Sequence, residues 1–302
     1  MSRVILTALV LCTGALPIAA QPQTVTSDSG FSWRGRIPAG AWLRIHDYRG
    51  SVKVVAAEGE VAEVRAEVSD RGREGDAIAF EMLNDGNDVI ICAYPAGAGS
   101  CSEDGVRVDR EGRARRDRHR LWADFTVRLP KGVHVRAASG NGDVMVTDAG
   151  ADVVASSGNG DVQVNGAGGE VEASSGNGPV EVHNANGPVE ASTGNGEVRV
   201  TTAHGPVSAS SGNGAIEVRM TTLSGRGDME FHTGNGSVTV YVPANFEGEL
   251  DSNTGNGRVV TDFPITVTGT LQPNRLRGTI GKGGRRIRMT SGNGSLELRK
   301  GT

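Results

Sequence analysis

Residues 156–164 read Ser-Ser-Gly-Asn-Gly-Asp-Val-Gln-Val, and residues 165–173 read Asn-Gly-Ala-Gly-Gly-Glu-Val-Glu-Ala. Both nine-residue halves end as Gly-x-Val-x-(Val/Ala), which is a turn followed by a short strand of period-two alternation. Two halves make a unit of 18 residues. The tetrapeptide Ser/Thr-Gly-Asn-Gly that opens each unit places asparagine at Asn141, Asn159, Asn177, Asn195 and Asn213 with that period, then at Asn235, Asn256 and Asn293. The last gap, 37, is read as two coils, one of them lacking the motif.

The alternation sorts side chains into lanes. Val144, Val162, Val180, Val198, Ile216 and Val238 form one, and Val146, Val164, Val182, Val200, Val218 and Val240 a second. The partner strand supplies Val153, Val171, Val189 and Val207, with Ala155, Ala173, Ala191 and Ala209 behind them. Pro179, Pro188 and Pro206 follow turn glycines, where a strand begins and a missing N–H is tolerated. Gly-Asn-Gly gives the turn its backbone freedom.

A meander would alternate its turns between two edges and would not need an identical turn every 18 residues. A parallel solenoid stacks equivalent positions at ~4.8 Å, so each asparagine can bond the one above. The expected fold is therefore all-β, a single-stranded parallel β-solenoid (β-helix) of 18-residue coils with two short strands each, capped at both ends. Glu181, Arg199 and Glu217 alternate in sign on successive coils, which suits this register, whereas Glu172 above Glu190 does not.

Composition agrees with a thin core. The 302 residues include 45 glycines, about 15% against a usual ~7%, and only 4% aromatics. Net charge is -4 and the charged fraction 22%, with no basic footprint for nucleic acid.

Residues 21–137 share the local grammar less regularly. Trp33, Trp42, Phe80, Trp122 and Phe125 are expected to build a bulkier cap over the first coil, since an uncovered solenoid end invites edge pairing. Leu271, Ile280, Ile287, Leu296 and Leu298 are expected to close the other end. Residues 1–20, with Arg3, an apolar run from Val4 to Leu11 and Ala19-Ala20, read as a secretory signal peptide. Export to the periplasm, cell envelope or exterior follows, and no later stretch is apolar enough for a transmembrane helix. In that compartment Cys92 and Cys101 are expected to form a disulfide that pins a loop. Domain organisation is read as signal peptide 1–20, irregular half 21–137 and regular repeats with a C-terminal cap, 138–302.

The segment Phe125-Thr126-Val127-Arg128-Leu129-Pro130-Lys131-Gly132 leading into Ser-Gly-Asn-Gly-Asp-Val repeats, and the closing Gly278-Thr279-Ile280-Gly281, resemble the bacterial β-strand-repeat family of unknown function labelled "putative adhesin". The resemblance implies a β-helix of the cell envelope and offers no catalytic residues.

The calcium-binding β-roll needs carboxylates on each coil, but the position after the turn glycine runs Asp143, Asp161, Pro179, Glu197, Ala215, Ser237, Arg258, Ser295. Asp143 and Asp161, one coil apart, have the spacing of a retaining glycosidase pair but no aromatic platform, and read as turn carboxylates. The histidines His46, His119, His134, His183, His204 and His232 lack metal-ligand spacing and read as surface or turn residues. Ser139, Ser157, Ser175, Thr193, Ser211 and Thr233 recur in every turn and read as turn hydrogen bonders. No cofactor or metal is expected. One segment departs from the pattern: Arg107, Arg110, Arg113, Arg115, Arg116, Arg118 and Arg120 crowd a loop over residues 107–120, a candidate contact for anionic polymer or lipid. The sequence thus points to a non-enzymatic envelope scaffold or adhesion module whose partner is a cell-envelope glycan, an anionic lipid or another envelope protein. The alternative is a polysaccharide-acting β-helix enzyme, a lyase or glycoside hydrolase.

Overall fold

The computed structural model describes residues 23–69, 77–109, 121–202, 204–224, 227–267 and 272–301. Residues 1–20, expected from the sequence to be a signal peptide, Leu271 and His119 lie outside them. Among the described residues every regular element is a strand, and the chain divides into two compact units, Met1–Asp152 and Val153–Thr302.

The second unit is a β-solenoid. One sheet stacks Val153–Asn159, Val171–Asn177, Val189–Asn195, Val207–Asn213 and Met229–Asn235 in parallel, and the other stacks Val162–Ala167, Val180–Ala185, Val198–Thr202, Ile216–Met220 and Val238–Val242. The 18-residue period sets the register: Val171 pairs with Val189, Ala173 with Ala191, Ser175 with Thr193 and Asn177 with Asn195. Val162, Val180 and Val198 stack on the opposite sheet, all at 0–1% exposure. Each buried valine contributes roughly 1.5–3 kcal/mol, and alanine on the facing sheet keeps the two faces close.

Both glycines of the turn are fixed by the neighbouring coil. A Cβ on Gly176 would sit 2.5 Å from the Gly158 carbonyl oxygen, and one on Gly178 would sit 2.3 Å from that of Gly160. Of these two only Gly178 also has a positive φ, 152°. The prolines stand just before their strands, and their carbonyls serve the ladder: Val162 N–H donates to Pro179 O at 3.0 Å and Val171 N–H to Pro188 O at 2.9 Å.

The two-coil reading of the last gap is corrected. Spatial order departs from chain order: Arg286–Asn293 and Leu296–Lys300 lie between the coil of Met229–Val242 and that of Gly248–Thr261. The chain lays down Gly248–Asn256 one layer out, turns back through Ile265–Val267 and Arg275–Ile280, which pair antiparallel, and fills the gap with its last coil. Ile287, Leu296 and Leu298 are therefore interior, and the closing layer holds Leu250, Leu276 and Ile280, all buried. The core also thickens here, since Ala209 is followed in its lane by Phe231 and then Met289.

In the first unit, His134–Ser139 and Val144–Ala149 stack in parallel on Trp42–Asp47 and Val52–Ala56. Asp88–Pro95 and Trp122–Leu129 add a further parallel layer. Beyond them the pairing turns antiparallel, through Ile78–Asp85 with Gln23–Ser27 and Val61–Ser69 with Gly30–Arg36. The aromatic cap is built of phenylalanine. Phe31 stacks on Phe80 at 5.2 Å between centroids, and Phe80 meets Phe125 edge-on at 6.2 Å. Trp122 is exposed instead, beneath the Arg49 guanidinium.

Candidate functional site

The repeated motif spends its polar groups on stacking. Asn177 Nδ2 donates to Asn159 Oδ1 at 2.8 Å, and the same bond runs from Asn195 to Asn177, Asn213 to Asn195, Asn235 to Asn213, Asn293 to Asn235 and Asn256 to Asn293, all at 2.7–2.9 Å. Asn141 stands in the first unit, its carbonyl accepting from Gly50 N–H at 3.0 Å. The hydroxyls of Ser139, Ser175, Thr193, Ser211 and Thr233 are buried and each donates to a turn-glycine carbonyl, at 2.7–2.9 Å. Asp143 and Asp161 are exposed turn residues of different units.

What the coils offer outward is a patterned sheet face, and a concave part of it lies where the coil order is exchanged. There Asp228, Glu230, Glu249, Asp251, Arg277, Arg286 and Arg288 line an open groove together with Ser208 and Thr279. Glu230, Arg288, Asp251 and Arg277 are successive register partners, alternating in sign on adjacent strands. Arg288 Nη1 stands 3.6 Å from Glu230 Oε1, Arg286 Nη2 stands 3.3 Å from Glu249 Oε2, and Arg277 pairs with Asp251. The hydrogen bond to Asp251 raises the Arg277 pKa further. The arginines of these pairs are more than half exposed, so the pairs add little stability. Sequence reasoning missed this groove because its lanes adjoin only after residues 286–300 insert beside 229–242.

Of the arginine-rich segment, Arg107 lies exposed on Gly105–Val108, and Arg110, Arg113, Arg115, Arg116, Arg118 and Arg120 lie outside the described residues. Cys92 and Cys101 are disulfide-bonded, with Cα atoms 5.7 Å apart, and tie the hairpin of Gly99–Ser102 and Gly105–Val108 to Asp88–Pro95. Arg44 reinforces that hairpin, its Nη1 2.7 Å from Glu103 and its Nη2 3.0 Å from Asp88.

The surface reading of His46 is overturned: it is 4% exposed, beneath Gly105 of the same hairpin. Burial, with Arg136 adding, lowers its pKa to about 4. Its neighbour Asp47 is 5% exposed, and burial raises its carboxyl well above the usual range. His134 stacks on Trp42 at 4.9 Å and its Nδ1 lies 3.1 Å from Asp152, while His204 and His232 are exposed. Among the described residues no group of three or more His, Cys, Asp or Glu side chains is placed to hold a metal, and no helix is long and apolar enough to cross a membrane.

The sequence profile of the Toastrack DUF4097 family matches residues 123–299. No curated protein matches the chain. Among solved structures, it is similar to a putative cell adhesion protein from Clostridium sporogenes, at 10% identity over 93% of this chain and 100% of that one, with a TM-score of 0.30. Putative adhesins from Bacteroides fragilis (9% identity, 91% and 98% coverage, TM-score 0.37) and Parabacteroides merdae (10%, 91% and 97%, TM-score 0.40) are similar as well.

Proposed function

The chain belongs to the Toastrack DUF4097 family, and on that premise we propose that it is an exported, non-enzymatic β-solenoid that serves the cell envelope as a scaffold or surface-binding module. The observation that carries this reading is the division of labour within each coil. The motif's asparagines and hydroxyls are consumed by bonds between coils, which leaves the outward lanes to meet a partner.

The groove around Arg277, Arg286 and Arg288 is proposed as the binding face. Its mixed charges and polar lining suit a hydrated, hydrogen-bonding polymer such as an envelope glycan better than an acyl chain. The segment 107–120 is proposed as a second contact, for anionic head groups or glycan phosphate.

The test is retention of the purified chain on immobilised envelope glycans and on vesicles with and without anionic lipid. Glycan retention that falls when Arg277, Arg286 and Arg288 are all changed to Gln, in a chain that still folds, supports the groove. Retention untouched by that triple change removes the groove from the proposal. Depolymerisation of a glycan by the parent would replace the scaffold with an enzyme. Recovery of the secreted chain with Gln21 as its first residue checks export.

A further inference from the structure

We propose that Asn256 is a site of spontaneous backbone-assisted modification, converting to aspartate and isoaspartate faster than the other asparagines of its ladder. Every rung of that ladder is an Asn-Gly pair, the dipeptide in which the glycine nitrogen meets least steric hindrance in attacking the preceding side chain. In the reaction Gly257 N bonds to Asn256 Cγ, the Cγ–Nδ2 bond breaks, and ammonia departs with the proton lost from the glycine amide. The resulting succinimide is opened by water at either ring carbonyl, giving aspartate or, through the other, isoaspartate. Water is the only co-reactant.

The fold opposes this reaction at the inner rungs. In each, the attacking nitrogen is engaged: Gly178 N–H donates to Asn195 O at 3.0 Å, Gly196 to Asn213 at 2.9 Å, Gly214 to Asn235 at 2.8 Å, Gly236 to Asn293 at 2.8 Å and Gly294 to Asn256 at 2.8 Å. Asn177, Asn195, Asn213, Asn235 and Asn293 each end a strand, and the side-chain amide of each both donates to one neighbour and accepts from the other. Turning the extended Asn-Gly unit so that nitrogen can reach Cγ breaks all of these bonds.

Asn256 is the end of the ladder, because the exchanged coil order leaves Gly248–Asn256 outermost in it. No further rung follows, and among the described residues Gly257 N–H meets no acceptor. Among the described residues the Asn256 side chain is held by one hydrogen bond, its donation to Asn293 at 2.7 Å. Both Asn256 and Gly257 are exposed, whereas the corresponding glycines of the inner rungs are partly covered.

The experiment is incubation of the folded full chain in mildly alkaline buffer, with peptide mapping by mass spectrometry and isoaspartate-specific methyl transfer at intervals. Asn256 should convert about tenfold faster than Asn177, Asn195, Asn213, Asn235 or Asn293, the factor set by one or two hydrogen bonds that need not break. In urea-unfolded chain the six rates should converge. Equal rates in the folded chain, absence of conversion at Asn256, or an Asn256 excess that persists in urea would each overturn the proposal, the last by assigning the effect to local sequence.

Discussion

The hydroxyl of Thr233 donates to the carbonyl of Gly214 at 2.9 Å from a side chain that is 0% exposed. The acceptor belongs to the turn of the neighbouring coil, so the bond ties a strand of one layer to the turn of the next. Thr233→Val keeps the shape and removes the donor. We expect it to cost about 1–2 kcal/mol in urea unfolding, and Thr233→Ser, which restores the group present at Ser211 and Ser291 in the same lane, to cost less. A valine variant as stable as the parent would show that the hydroxyl lane contributes nothing to stacking.

Glycines in this chain differ by what lies above them. A Cβ on Gly178 would collide with the Gly160 carbonyl at 2.3 Å in a backbone of φ 152°, whereas one on Gly59 meets nothing within 4 Å. Gly178→Ala must therefore push two coils apart, and its expected cost exceeds about 2 kcal/mol. Gly59→Ala should be neutral or stabilising by up to about 1 kcal/mol, through the unfolded chain. Similar unfolding midpoints for the two variants would refute close coil approach as the reason for the motif.

His46 and Asp47 give stability two opposed dependences on pH. His46, lowered by burial and by Arg136 and Arg44 against Glu103 and Asp104, has a folded pKa of about 4 against 6.5 unfolded. Between those values the unfolded chain binds the extra proton, so its contribution is full above pH 6.5 and is lost toward pH 4, by on the order of 3 kcal/mol. Asp47 is raised by burial, with the Arg49 N–H opposing and the Asp124 charge adding. Its folded form keeps a proton that the unfolded form sheds above its ordinary pKa of 3.8, so its contribution declines as pH rises. Asp47→Asn should therefore exceed the parent in stability by a margin that grows from acid to neutral pH. His46→Gln should flatten the decline between pH 6.5 and 4. Urea midpoints across that range decide it, and a constant offset for either variant would contradict the assignment.

The coil register was legible because a period of 18 can only superpose like on like: Val over Val, Ala over Ala, Asn over Asn. The exchange of the last coils was not. Asn256 and Asn293 carry the same motif, and a lane of identical donors and acceptors does not record which rung is outermost. What decides it is long-range, the antiparallel return of Arg275–Ile280 onto Gly248–Asn256. The groove shares that origin, since Glu230 and Arg288 become neighbours only by the insertion. His46 misled for a related reason. Nothing near it in sequence covers it, and its burial comes from a hairpin about 60 residues later, which Cys92–Cys101 holds in place.

Deleting one coil tests the stacking as a whole. Removal of Ser174–Ala191 joins Ala173 to Ser192 and takes out one full period within the second unit. Thr193 then stands over Ser157 with Gly160 O as its acceptor, Asn195 over Asn159, Val198 over Val162 and Val207 over Val171, each pairing like with like as in the parent register. The main loss on the outer face is the Arg199–Glu181 pair, 3.2 Å apart and partly exposed, worth at most about 1 kcal/mol. The shortened chain should fold cooperatively and be one layer, ~4.8 Å, shorter. Removal of Ser174–Val182 alone joins Ala173 to His183, which erases one Asn-Gly turn and brings the Val189 strand round to the sheet that held Val180, with Ala191 where Val182 packed. That half-coil cut should give an aggregating chain or one without a cooperative transition. Circular dichroism, unfolding midpoints and small-angle scattering distinguish the outcomes, and equal misfolding of the two deletions would refute the interchangeability of the coils.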